Sequence, residues 1–175
     1  TVLLAWARVN QPERADQLLR FMYEDGVVKP DERSFNAVLS AWAQAGDPDM
    51  AETILTRMHE FYADGELETK PTVVTYNTVL DSLAKSRQKD AWKRSEEILK
   101  HMEALYQAGD VAVKPNARTW NTVLNSFAKA GKIGRAERLV DEFTKAFKFG
   151  QMDERPNLRS WNTLLAACME RGDIQ

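Results

Sequence analysis

The sequence predicts an all-α fold, an α-solenoid of stacked helix-turn-helix repeats. Three observations carry that expectation: a seven-residue phrase recurs four times, each copy opens a stretch of helical apolar periodicity, and each stretch is followed by a second that ends on glycine. Self-similarity at a period of about 20 to 50 residues is the signature of a repeat architecture and outranks local propensity as a fold signal.

The phrase is Pro, three residues, Ser or Thr, an aromatic residue, Asn. It reads PDERSFN at 30–36, PTVVTYN at 71–77, PNARTWN at 115–121 and PNLRSWN at 156–162. Each copy runs on into an aliphatic pair: Val38 with Leu39, Val79 with Leu80, Val123 with Leu124, and Leu164 with Leu165. The opening Thr1, Val2, Leu3 matches Thr78, Val79, Leu80, so the chain is expected to begin inside an incomplete repeat and to be an excerpt of a longer protein. Five repeats are represented in a single array: a partial one at 1–31, full ones at 32–72, 73–116 and 117–157, and a partial one at 158–175. The aliphatic position recurs at intervals of 36, 41, 44 and 41 residues, so the units are homologous but unequal.

Within each unit apolar residues fall at i, i+3, i+4 and i+7, the pattern of a helix buried on one face. First helices carry Phe35, Val38, Leu39, Trp42; Tyr76, Val79, Leu80, Leu83; Trp120, Val123, Leu124, Phe127; and Trp161, Leu164, Leu165, Cys168. Second helices carry Ala15, Leu18, Leu19, Met22; Ala51, Ile54, Leu55, Met58; Ser95, Ile98, Leu99, Met102; and Ala136, Leu139, Val140, Phe143. The proline near the start of each first helix loses nothing by lacking an N–H there, and Gly26, Gly65, Gly109 and Gly150 close the second helices. Short polar turns at 45–49 and 130–134 join paired helices, with three extra residues in the turn at 86–93. Two helices cannot bury both apolar faces alone, so neighbouring pairs must stack around a continuous core.

The longer units gain nearly one turn on their second helices. The addition carries Phe61 and Tyr62, Leu105 and Tyr106, and Phe147, spaced so as to pack. Trp6, Trp42, Trp120 and Trp161 fall on apolar stripes and are expected in the core, whereas Trp92 lies in the enlarged turn and is expected to be exposed.

With 43% hydrophobic and 29% charged residues, the 175-residue chain can bury a core. Its 24 basic and 26 acidic residues leave a net charge of -2, so any basic surface must come from arrangement rather than bulk charge. The single Cys168 excludes an internal disulfide and, beside Leu164, Leu165 and Ala167, reads as core. No run approaches the roughly 18 apolar residues of a membrane span, so no membrane partner is expected. His59 and His101 lie in different repeats without further ligands at metal spacing and read as surface. Glu96 and Glu97 are adjacent on a helix and face different directions. With no phosphate loop or nucleophile motif, neither catalysis, cofactor nor small-molecule substrate is expected of this region.

The fullest copy of the phrase is Pro115, Asn116, Thr119, Trp120, Asn121, Thr122, Val123, Leu124. Followed by a helix ending near Met and Gly, it resembles the pentatricopeptide repeat, and the resemblance extends over essentially the whole chain. It implies single-stranded RNA bound along the surface lined by first helices, and work in the mitochondrion or chloroplast. It also implies that bases are chosen by the Asn of each first helix together with the residue just after the proline that ends the repeat. Those pairs are Asn36 with Thr72, Asn77 with Asn116, and Asn121 with Asn157, with Asp31 and Asn162 each half of a further pair. Paired asparagines imply a leaning to pyrimidines. The residue three before the Asn is implied to sandwich the base: Val74 keeps the family's valine, while Arg33, Arg118 and Arg159 replace it elsewhere. The long repeats depart from the spacing of one base per repeat.

The residues support this reading in part. At about 100 degrees per residue, Arg33, Asn36, Ser40 and Ala43 form a stripe beside the buried face. Equivalent stripes are Val74, Asn77, Asp81, Ala84; Arg118, Asn121, Asn125, Ala128; and Arg159, Asn162, Ala166, Met169. The asparagines are therefore expected outside the core, where an amide reads an unstacked base edge or bridges adjacent repeats. Lys29, Lys70, Lys114 and Arg155 immediately precede the prolines, a row of cations suited to phosphates, and Arg8, Lys85 and Lys129 add charge at the far end of first helices. The expected function is a sequence-selective single-stranded RNA-binding module of organellar RNA metabolism. The alternatives are a protein-interaction scaffold, favoured by the near-neutral charge and the missing valines, and the substrate-recognition part of a larger RNA-processing enzyme.

Overall fold

The computed structural model describes residues 2–9, 11–25, 29–66, 68 and 70–171. Among them the regular structure is helical throughout. First helices are α1 (Val2–Arg8), α3 (Glu32–Ala45), α5 (Val73–Lys85), α7 (Ala117–Lys129) and α9 (Leu158–Arg171). Second helices are α2 (Pro12–Asp25), α4 (Pro48–Ala63), α6 (Ala91–Gln107) and α8 (Ile133–Lys148), with a 3-10 turn at Val111–Val113. The helices cluster into two compact units, Thr1–Ser86 and Arg87–Gln175. Each is a segment of α-solenoid, as the repeats require. In unit 1, α1 lies beside α3 and α3 beside α5, and in unit 2, α7 lies beside α9. Second helices α2, α4 and α8 each pack on their own first helix and on the next one.

The recurring proline stands two positions before each first helix, and the residue after it is the cap. Asp31 Oδ1 accepts the Ser34 N–H at 2.8 Å, Asn116 Oδ1 that of Thr119 at 3.1 Å, and Asn157 Oδ1 that of Ser160 at 3.3 Å. Such a cap contributes about 1 kcal/mol to its helix. Proline opens α2 and α4 directly, where the missing N–H is one that no helical carbonyl would have accepted. Gly65, Gly109 and Gly150 follow the second helices at φ 75°, 101° and 72°, a left-handed turn that a side chain disfavours. Gly26 and the Arg8 side chain lie outside the described residues.

Phe35, Val38, Leu39, Tyr76, Val79 and Leu80 are buried against Leu19, Ile54 and Met58 in unit 1. Each such side chain contributes roughly 1.5–3 kcal/mol on burial. The second helices α4, α6 and α8 run 16, 17 and 16 residues against 14 in α2. In α4 the added part packs, with Phe61 4.9 Å from Tyr23 and 5.5 Å from Phe35 between ring centroids. Phe147 of α8 stays 39% exposed. In unit 2, Trp120 stacks on Phe143 at 5.3 Å. Ser95 takes the buried place held by Ala15, Ala51 and Ala136 elsewhere, and its hydroxyl is satisfied by the Ala91 carbonyl at 2.8 Å and Ser126 at 3.1 Å.

Six expectations about single residues need correction. Trp161 and Leu165 are exposed and Cys168 is half-buried, because α9 packs only on α7 and α8 among the described residues and no second helix of its own repeat covers its stripe. Trp6 is likewise half-buried, with the Arg14 guanidinium 4.8 Å from its ring centre. Trp92 belongs to the first turn of α6 rather than to the loop, and is half-buried. His59 is half-buried rather than free on the surface: its Nε2 is 2.8 Å from the Tyr76 hydroxyl, a contact between α4 and α5.

Candidate nucleic-acid interface

The Ser or Thr of the recurring phrase is the third residue of its helix, and Ser34, Thr75, Thr119 and Ser160 are all buried. The hydroxyl oxygen accepts the cap residue's own N–H: Thr72 to Thr75 at 3.2 Å, Asn116 to Thr119 at 3.1 Å, Asn157 to Ser160 at 3.2 Å. Its one proton is then left to donate. Thr75 donates it to Asn36 Oδ1 at 3.0 Å, and Ser160 donates it to Asn121 Oδ1 at 2.6 Å. A first-helix asparagine is thus tied, 39 residues on, to the cap of the next first helix.

This link fixes which end of the amide the protein uses. With Oδ1 accepting from the hydroxyl, Asn36 and Asn121 present their Nδ2 donors along the stripe. Asn36 Nδ2 donates to Glu32 Oε1 at 3.3 Å, and the same oxygen accepts from Thr72 Oγ1 at 3.4 Å. In the helix of Asn121, the position of Glu32 is Ala117. Glu32, Thr75 and Ser160 were not among the residues expected at the site. The repeated hydroxyl was visible in the phrase, but its direction across repeats was not.

The structure joins two of the expected pairs within units. Asn36 and Thr72 share Glu32, and Asn121 and Asn157 share Ser160, whose hydroxyl is 3.4 Å from Asn157 Oδ1. Asn77 and Asn116 stand in different units. The asparagines are not uniformly outside the core: Asn77 is 4% exposed, Asn36 and Asn121 are half-buried, and Asn162 is exposed. First helices lie flank to flank, so the stripe beside the apolar face borders an interface.

Arg33, Arg118, Arg159 and Val74 all stand exposed on the first turn of their helices. Arg159 and Asn162 come together with Lys129, Asn125 and Leu158 around an open groove of about 590 Å³ between α7 and α9. In unit 1 a hollow of about 430 Å³ at the start of α3 is lined by Lys29, Arg33, Asp31, Glu32, Glu66 and Glu68. Two cations of the pre-proline row already have acidic partners: Lys29 with Glu66 at 2.9 Å, and Lys114 with Asp153 at 2.9 Å. The hydrogen bond it donates to Asp153 holds the Lys114 ammonium above its ordinary pKa. Arg155, Lys85 and Lys129 are exposed, and Lys70 is half-buried.

Charge divides between the units. Residues 1–86 hold eight basic and fourteen acidic side chains, net -6, while 87–175 hold sixteen and twelve, net +4. The overall -2 conceals an electropositive half.

A family profile described as pentatricopeptide repeat domain matches residues 17–86, and a second, described as PPR repeat, matches 112–143. The two together cover more than half of the sequence. The chain belongs to the pentatricopeptide repeat family. Two crystal structures are similar to this pentatricopeptide repeat chain, both of the pentatricopeptide repeat protein PPR10 in complex with an 18-nt psaJ RNA element, one with three cysteines changed to serine. Each is 19% identical, with a TM-score of 0.47 over 95% of this chain, which spans 26% of their length. No curated protein sequence matches it.

Proposed function

We propose that this pentatricopeptide repeat segment binds single-stranded RNA, selecting bases with the Nδ2 groups of its first-helix asparagines, in organellar RNA metabolism. The observation that carries the reading is the buried hydroxyl link, which spends Oδ1 of Asn36 and Asn121 on the protein and leaves a donor of fixed direction. Asn157 adds a second amide beside Asn121, with its own Oδ1 held in the helix cap. Donors in that place suit the acceptor oxygens of a pyrimidine whose edge has been unstacked. Arg159, over the groove that Asn162 and Lys129 line, supplies a planar cation for stacking. Lys85, Lys129 and Arg155 lie exposed for phosphates.

The test is binding of fluorescent single-stranded homopolymers and of a random pool at low salt. Asn121→Ala is expected to weaken pyrimidine binding about tenfold and to flatten base preference, the scale of one hydrogen-bonded base contact. An unmutated chain that binds no single-stranded RNA at low salt would sink the reading. A protein-binding role is the second reading. It is carried by the hollow at the start of α3, where Asp31, Glu32, Glu66 and Glu68 outnumber Lys29 and Arg33 and so suit a basic partner better than a phosphate.

A further inference from the structure

Unit 2 carries a basic surface apart from the asparagine stripes. Segments 87–94 and 129–135 hold Arg87, Lys89, Lys93, Arg94, Lys129, Lys132 and Arg135 against a single acid, Asp90. Trp92 fastens the two segments together. Its ring meets Phe127 edge-on at 6.1 Å, and Lys132, Lys93 and Arg135 lie 5.1, 5.6 and 5.8 Å from its centre. All three cations are exposed. Arg135 is neutralised by Glu96 at 2.5 Å, which also holds Lys100 at 2.9 Å. Among the described residues no ion pair holds Lys93 or Lys132. Cations gathered on one ring repel each other, and the ring's attraction offsets this only in part.

The patch is continuous with the groove. Lys129 lines the groove together with Arg159 and Asn162, and Lys132 follows it by three residues across the turn into α8. A strand with bases in the groove has phosphates to place on its outer side. Lys89, Lys93 and Lys132 are positioned to take them.

We propose that this turn edge, with Lys93 and Lys132 gathered on Trp92 and Lys89 exposed three residues before it, binds the phosphodiester backbone of the RNA strand whose bases enter the groove between α7 and α9. The proposal rests on the RNA-binding reading above and adds a site to it. Lysine contacts to phosphate carry no base information, so the patch supplies affinity and register while the asparagines supply choice. Trp92 is a positioning residue whose ring keeps Lys93 and Lys132 close together.

The experiment compares the unmutated chain with Lys89→Gln/Lys93→Gln/Lys132→Gln, measuring affinity for single-stranded oligouridine and oligoadenosine across a salt series. Each lost phosphate contact lowers the log–log salt slope by about 0.7, so the triple variant should lose about 2 from the slope and bind roughly tenfold to a hundredfold less tightly at about 0.1 M salt. The ratio between the two homopolymers should stay unchanged. A control, Arg138→Gln/Lys145→Gln/Lys148→Gln, removes the same charge from the exposed side of α8 and should change the slope by less than about half as much. An unchanged slope in the patch variant, or an equal fall in the control, overturns the proposal while leaving RNA binding intact. If the unmutated chain binds neither homopolymer, the RNA reading fails and the patch proposal fails with it.

Discussion

In unit 1 the Asn36 amide is held by Thr75 on its oxygen and by the Glu32 carboxylate on its nitrogen, while in unit 2 the Asn121 amide is held by Ser160 and Ala117 stands in place of the acid. The links are the same and the surroundings are opposite. Net charge follows the same division, -6 against +4. Equivalent backbone geometry therefore does not make equivalent sites. A buried hydroxyl can orient an amide anywhere in the array, but whether a phosphate strand approaches it depends on the sign of the field around it.

The largest effect should come from reversing that sign. Lys129→Glu/Arg159→Glu in unit 2 is expected to lower RNA affinity at least about a hundredfold, whereas Lys29→Glu/Arg33→Glu in unit 1 should change it less than about threefold. Equal losses by fluorescence anisotropy would mean that the two units contact the strand alike. Next comes the link itself. Thr75→Val and Ser160→Ala each remove a hydroxyl that completes a cap and satisfies an asparagine, and each should cost about 1–2 kcal/mol in denaturant unfolding. Thr75 and Ser160 are both fully buried, so the two losses should be of similar size. A stability loss confined to one of the two variants would break the equivalence of the links.

Glu32→Ala sharpens the contrast from the other side. It frees the Asn36 amide and removes a single charge, so RNA affinity should rise by no more than about twofold with little change in thermal stability. The smallest effect concerns Glu103, in the electropositive unit. Burial, and after it the charge of Glu142, holds its carboxyl above the ordinary glutamate pKa. A raised carboxyl makes ionisation unfavourable in the folded state, so its stabilising contribution is present at low pH and lost as pH rises through the raised value. Glu103→Gln should leave stability unchanged near about pH 4 and raise it slightly near about pH 7, read as a pH-dependent difference in melting temperature.

Much of the fold was legible in the sequence because a repeated phrase repeats its physics. Pro30, Pro71, Pro115 and Pro156 mark the approach to each first helix, and stripes such as Val79, Leu80, Leu83 are buried as their spacing requires. The same reasoning failed at Trp161 and Leu165, since periodicity gives the face that seeks cover and not whether cover is present. At the site, the sequence set out the asparagine row, the arginines before it and the cations near the prolines. It did not show that Lys29 and Lys114 meet Glu66 and Asp153, because those partners lie 37 and 39 residues away and are joined only by packing.

The stacked helix-turn-helix array was determined by the sequence alone, because its spacing, caps and closing glycines are local properties that act within a turn or two. The hydroxyl links of Thr75 to Asn36 and Ser160 to Asn121, the groove over Arg159 and Asn162, and the gathering of Lys93 and Lys132 on Trp92 were decided only by the tertiary structure. Each joins residues from different helices, and the direction of a hydrogen bond or the neighbour of a charge is fixed only once those helices have packed.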